Sequence, residues 1–224
     1  MIEIIPTAVL RNADDLAASA KIAEFSPWVH IDVDDGLFAP VVSWPYTEKG
    51  IFEPPDLAGL PLMAEIHLMV EVERTIGLLF ARAGAKRLIG HAEAFEDTNA
   101  AHGALDAWKE AGAEAGLSIL LDTPLAVLEP LVPACDFVQV MSVATIGAQG
   151  APFDPRAIAR IAELRTRYPE LLISVDGGVS LANIGELARA GARRFSVGSA
   201  LSKSTDPASV YMQLKEKAER ALVE

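Results

Sequence analysis

The side chains able to do chemistry in this sequence fall at the ends of short apolar runs. His30-Ile31-Asp32-Val33-Asp34 closes one run, Ile66-His67-Leu68 a second, His91-Ala92-Glu93 a third and Val175-Asp176-Gly177-Gly178 a fourth. Alternate residues of an extended chain share a face, so His30, Asp32 and Asp34 point one way while Ile31 and Val33 point the other. Imidazoles and carboxylates buried together without partners are costly, and a divalent cation offsets that cost. His30, Asp32, His67 and Asp176 are therefore read as one metal site. Two His and two Asp without a thiolate suit one Zn²⁺, Fe²⁺, Mn²⁺ or Co²⁺ ion. The second chemical element is backbone. Asp176-Gly177-Gly178-Val179 and Val197-Gly198-Ser199-Ala200 offer glycines where N–H groups can approach a bound anion such as phosphate. Gly147-Ala148-Gln149-Gly150 is a candidate third loop of that cradle.

Positioning such a set requires strands that all end on one side. Apolar runs at 2–5, 28–33, 62–68, 87–91, 116–120, 137–141, 171–175 and 194–197 read as strands. Amphipathic stretches at 12–25, 71–83, 98–111, 125–131, 155–168, 181–190 and 207–222 read as the helices between them. The Pro-rich segment 38–61 is expected to form a loop over the mouth, with at most a short helix around 46–52. The stretch Ala81-Arg82-Ala83-Gly84-Ala85-Lys86-Arg87-Leu88 returns as Ala188-Arg189-Ala190-Gly191-Ala192-Arg193-Arg194-Phe195. In both, a helix ends at a glycine and a strand follows. Eight strands with interleaved helices favour a single α/β domain over residues 1–224, a closed (β/α)8 TIM barrel. No Gly-x-Gly-x-x-Gly follows the first strand, which argues against a dinucleotide fold.

Composition narrows the partners. The formal net charge of −12 argues against electrostatic binding to nucleic acid or anionic membranes. An anionic substrate then needs local backbone donors. Cys135 is the only cysteine, so an intrachain disulfide is excluded, and it reads as a small buried hydrophobe. No run approaches the ~20 apolar residues of a spanning helix, and Met1–Ile5 lacks a basic leader pattern, so a cytoplasmic setting is expected. Assembly into a homo-oligomer is expected only because barrel enzymes often assemble.

With those residues in place, the chain resembles the ribulose-phosphate 3-epimerase family along nearly its whole length. The resemblance is carried by Pro6-Thr7-Ala8-Val9-Leu10, by His30-Ile31-Asp32-Val33-Asp34-Asp35-Gly36-Leu37-Phe38-Ala39-Pro40 and by His67-Leu68-Met69-Val70. Further matches are His91-Ala92-Glu93-Ala94, Val140-Met141-Ser142-Val143, Val175-Asp176-Gly177-Gly178-Val179 and Gly198-Ser199-Ala200. The resemblance implies a phosphate-binding barrel that inverts C3 of a ketopentose phosphate, ribulose 5-phosphate to xylulose 5-phosphate. It implies that His30, Asp32, His67 and Asp176 hold a divalent metal, and that Asp32 and Asp176 are also the acid/base pair working on either face of a planar enediolate. It places Met69 and Met141 among substrate-contacting methionines and Thr7 where a serine is usual. His91 and Glu93 would support the metal ligands from behind.

The sequence also departs from the family. Asp34 stands where the family has methionine, adding a third carboxylate on the face of Asp32 and making Asp34 a possible specificity residue. The family's Glu-Pro-Gly-x-Gly-Gly-Gln loop becomes Ala144-Thr145-Ile146-Gly147-Ala148-Gln149, one residue shorter. Val41-Val42-Ser43-Trp44 replaces a segment that usually contains asparagine, and Leu121-Asp122-Thr123-Pro124 replaces a Lys-Pro-x-Thr type of loop. Ligands kept and substrate loops altered suggest three readings: the standard epimerisation, the same chemistry on another sugar phosphate or related substrate, or a barrel that binds without turnover. Hexulose-phosphate synthases and lyases on related barrels are a weaker rival, because their Asp-x-Lys triplet is missing here.

Overall fold

The computed structural model describes residues 1–147 and 150–223. Its strands in chain order are β1 (Glu3–Ala8), β2 (Trp28–Asp34), β3 (Tyr46–Glu48), β4 (Ile51–Phe52), β5 (Met63–Met69), β6 (Arg87–His91), β7 (Glu114–Ile119), β8 (Phe137–Met141), β9 (Leu172–Asp176) and β10 (Arg194–Val197). All but β3 and β4 join one closed barrel, in the order β1-β10-β9-β8-β7-β6-β5-β2. Each barrel strand bonds to its neighbours in parallel register. The TIM-barrel expectation is met. Outward-facing strand residues such as Val29, Ile31, Ile66, Leu88, Leu117, Val138, Val175 and Phe195 are fully buried. They share one apolar layer with residues of α1 (Ala13–Ser19), α2 (Glu73–Arg82), α3 (Thr98–Glu110), α4 (Arg156–Arg167), α5 (Ile184–Ala190), α6 (Ser199–Ser202) and α7 (Pro207–Arg220). Each fully buried aliphatic side chain contributes about 1.5–3 kcal/mol, so this outer layer holds the fold together.

The inner layer is polar by comparison. Register pairs Thr7 with His30, His30 with Glu65, Asp32 with His67, Asp34 with Met69, and Met141 with Asp176. At the floor, Arg87 binds Glu114 at 2.5 Å and Glu3 at 3.0 Å, while Arg194 binds Glu3 at 2.8 Å and Glu114 at 2.9 Å. Trp28 and Phe137 lie against these guanidinium groups, Arg87 standing 3.6 Å from the Trp28 ring centre and Arg194 4.5 Å from that of Phe137.

Three expected helices differ. Residues 46–52 form the antiparallel hairpin of β3 and β4 rather than a helix. Tyr46, Thr47, Ile51 and Phe52 favour extended backbone, and Gly50 turns the chain with φ +70°. Residues 125–131 do not form an α-helix: a 3₁₀ turn spans Leu125–Leu128 and another Val132–Ala134. Pro130 and Pro133 remove the amide donors that a continuous helix needs there. The stretch 12–25 is α1 continued by a 3₁₀ segment, Ala20–Glu24. The short helix α6 after β10 was not anticipated by the sequence pattern. Cys135 is half-buried against the core, and burial pushes its thiol up to about 12. Among the described residues no helix is long and apolar enough to cross a membrane.

Candidate active site

Four strand ends deliver the metal-ligand candidates. His30 and Asp32 come from β2, His67 from β5 and Asp176 from β9, and one ligand atom from each lies within 4.8 Å of the others. Asp32 Oδ1 is central, 3.1 Å from His30 Nε2 and 3.0 Å from His67 Nδ1. His67 Nδ1 also lies 3.5 Å from Asp176 Oδ2. The imidazoles are sealed in the barrel, whereas the side chains of Asp32 and Asp176 keep 26% and 14% exposure. The histidines therefore form the base of the site and the carboxylates face its opening.

Each histidine is held from behind. His30 Nδ1 lies 2.8 Å from Glu65 Oε1, inside the barrel, and 3.1 Å from Ser196 Oγ. A carboxylate accepts only, so Nδ1 carries a proton, and Nε2, beside Asp32 Oδ1, is the nitrogen that would serve as a metal ligand once its own proton is displaced. His67 Nε2 lies 2.9 Å from His91 Nε2, and His91 Nδ1 lies 3.3 Å from Glu93 Oε2. His91 donates to Glu93 and accepts from His67, which leaves His67 Nδ1 facing the site. Burial pushes His91 down to about 4, so it is neutral and able to accept. Glu93 is itself fixed by the amide of Leu120, which donates to Oε1 at 2.8 Å.

The electrostatics suit a cation. Burial works against a proton on His67, yet Asp176 and Asp32 raise it to about 9. His30 is likewise raised against the effect of burial, by Asp32 and then Glu65. Asp32 is held well below the usual carboxylate range by His30 and His67, although burial opposes this. Two carboxylates thus draw positive charge to a point lined by two imidazole nitrogens. His30, Asp32, His67 and Asp176 fit a divalent ion of the N/O-ligated class.

The cavity above this cluster is lined by Thr7, Asp32, Asp34, Met69, Met141, Gly147, Asp176, Gly177, Gly178, Gly198 and Ser199. The structure therefore brings all the expected substrate-side residues to one mouth. His91 and Glu93 stand behind it, and Ala148 and Gln149 lie outside the described residues. Gly177 has φ +112°, and a Cβ there would stand 2.7 Å from Val143 Cγ1, so the chain after β9 depends on glycine. Thr7 Oγ1 and Asp34 Oδ1 are buried without a hydrogen-bond partner among the described residues. Burial, reinforced by Asp32, pushes the Asp34 carboxyl up to about 7.

Sequence reasoning missed Glu65 and Ser43. Glu65 precedes His67 by two, and a charge inside an apolar strand was the available signal. Ser43, from the long loop, accepts from the Asp34 amide at 2.8 Å and donates to the Asp32 carbonyl at 3.0 Å, tying down the end of β2.

A closed parallel barrel with an inward His/Asp cluster at the carboxyl ends of its strands defines a TIM-barrel enzyme whose cluster could hold a metal ion. Within that class the sequence match is specific: the model of the ribulose-phosphate 3 epimerase family covers residues 3–202, and the chain belongs to that family. It is a family of isomerases acting on carbohydrates. The chain is 34% identical to ribulose-phosphate 3-epimerase of Escherichia coli (strain K12) over 209 residues, 91% of this chain and 87% of that protein. It is 31% identical to the enzyme of that name from Candida glabrata over 207 residues, 87% and 82% of the two chains. Among solved structures, 3-hexulose-6-phosphate synthase from Salmonella typhimurium superposes with a TM-score of 0.70 at 17% identity, covering 99% of this chain and 100% of that one. The 3-keto-L-gulonate-6-phosphate decarboxylase of Vibrio cholerae gives 0.69 at 14%, covering 98% of this chain and 99% of that one. These two likenesses concern the fold alone.

Proposed function

We propose that the protein epimerises C3 of a ketose phosphate, interconverting D-ribulose 5-phosphate and D-xylulose 5-phosphate, with Asp32 and Asp176 as the acid/base pair. The observation carrying this reading is that these two carboxylates meet at His67 Nδ1 from β2 and β9, strands separated by β1 and β10 on one side of the barrel and four strands on the other. Inversion needs one group to take a proton from one face of the carbon and another to return one to the opposite face. Asp32 and Asp176 are the two cluster members open to the cavity, and they approach it from different walls. His30 and His67 position them, and Glu65 and His91 fix the imidazole tautomers. His30, Asp32, His67 and Asp176 would hold a divalent ion, which would supply Lewis-acid stabilisation of the negative charge developing on the substrate. Backbone N–H groups around Gly177, Gly178, Gly198 and Ser199, with Gly147 on the same cavity, receive the phosphate. Thr7, Met69 and Met141 wall the sugar.

Solvent-deuterium incorporation at C3 of D-ribulose 5-phosphate, measured with Zn²⁺, Fe²⁺, Mn²⁺ and Co²⁺ in turn, tests the reading. Exchange with at least one ion is expected, and no exchange with any of them overturns it. Asp34 favours a second reading, the same chemistry on a different sugar phosphate. A faster exchange with another ketose phosphate than with ribulose 5-phosphate would select it.

A further inference from the structure

Asp34 is used neither by the ligand cluster nor by the acid/base pair, yet it lies on the wall of the same cavity. Its residue exposure is 4%, and among the described residues Oδ1 has no hydrogen-bond partner. The surroundings explain why. Met69 is its register partner on β5. Gly147 approaches from the facing loop: a Cβ placed on it would stand 3.5 Å from Asp34 Oδ1 and 2.8 Å from Val41 Cγ2. Ser43 Oγ is engaged by the Asp34 amide and the Asp32 carbonyl. A buried carboxyl oxygen without a donor is costly to keep. Asp34 nonetheless lines the cavity, and a polyol entering it brings hydroxyl donors to that wall.

We propose that Asp34 is a specificity-determining residue that accepts a hydrogen bond from a hydroxyl of the bound ketose phosphate. The proposal rests on the epimerase reading, and it narrows the substrate class to those presenting a hydroxyl at that point of the wall. A carboxyl fixed at one point of the wall reads a single position of the sugar. An analogue lacking that hydroxyl leaves the carboxyl unpaired and is rejected.

The test is equilibrium binding by titration calorimetry on the metal-loaded protein. The probes are D-ribulose 5-phosphate and its 1-deoxy and 4-deoxy analogues, titrated into the parent, Asp34→Asn and Asp34→Met. The parent is expected to bind one deoxy analogue about tenfold or more weakly than the parent sugar. Asp34→Asn, which keeps an acceptor oxygen, is expected to retain that preference, whereas Asp34→Met is expected to bind the sugar and that analogue alike. A parent that binds both analogues as tightly as the sugar overturns the proposal without any variant having to fold. Discrimination by Asp34→Met equal to the parent's also overturns it. If the parent binds none of the three probes, the epimerase reading falls together with this proposal. If it binds them without discrimination, only the role of Asp34 falls.

Discussion

Replacing Glu65 with Gln probes the support beneath the metal centre. Glu65 is fully buried, Oε1 lies 2.8 Å from His30 Nδ1, and Oε2 lies 3.5 Å from Arg87 and 3.8 Å from Arg194. Glutamine keeps the size and one acceptor but removes the charge and can turn an NH₂ toward two guanidinium groups. Breaking a buried ion pair outright costs about 3–5 kcal/mol, and a charge-assisted hydrogen bond is worth about 1.5–3 kcal/mol. Glu3 and Glu114 still bind both arginines, at 2.5–3.0 Å, so the lower end applies. A loss of about 2–3 kcal/mol follows, which for a chain of this length lowers Tm by roughly 4–12 °C. Because Glu65 also fixes the His30 tautomer, affinity for a divalent ion is expected to drop about 10–100-fold. Scanning calorimetry and competitive metal titration read the two effects. An unchanged Tm refutes the buried-pair account. A lowered Tm with parental metal affinity refutes the assignment of the His30 tautomer to Glu65.

Glu73 offers a test by pH. Burial raises its carboxyl well above the ordinary 4.5, with Glu93 and Asp35 adding to the shift although the His91 amide opposes it. A folded-state value above the unfolded one means that stability is complete below about 4.5 and declines as pH rises toward the folded value. Glu73→Gln removes this decline, so its Tm relative to the parent should climb as pH rises above about 4.5, as followed by circular dichroism. A pH-independent difference would contradict the shift. Gly177→Ala forces a Cβ to within 2.7 Å of Val143 at φ +112°, and a destabilisation of about 1–3 kcal/mol is expected in denaturant unfolding. Parental stability there would show that this loop adapts freely.

The barrel and its mouth were legible because strand alternation fixes which residues share a face. His30, Asp32 and Asp34 had to point together, and closing the barrel had to bring the ends of β2, β5 and β9 to one rim. Contacts that depend on register between strands were not legible. Nothing local in the sequence joins His67 to His91, 24 positions apart, and their 2.9 Å contact comes from the pairing of β5 with β6. The hairpin at 46–52 was missed because its apolar residues are too few to distinguish periods of 2 and 3.6. The run at 125–131 carried a helical apolar spacing that Pro130, with Pro133 just beyond it, overrode. Glu65 was hidden in plain view, since a carboxylate inside a strand looks like a structural ion-pair residue until His30 is seen against it.

The central claim is that His30, Asp32, His67 and Asp176 bind one divalent metal ion. Crystals of the protein grown with Mn²⁺, Fe²⁺, Co²⁺ or Zn²⁺, with data collected at the absorption edge of the added metal, test it most directly. One anomalous peak per chain is expected, about 2.0–2.2 Å from nitrogens of both histidines and oxygens of both aspartates. An anomalous map empty at that point, or a peak held by other residues, would contradict it.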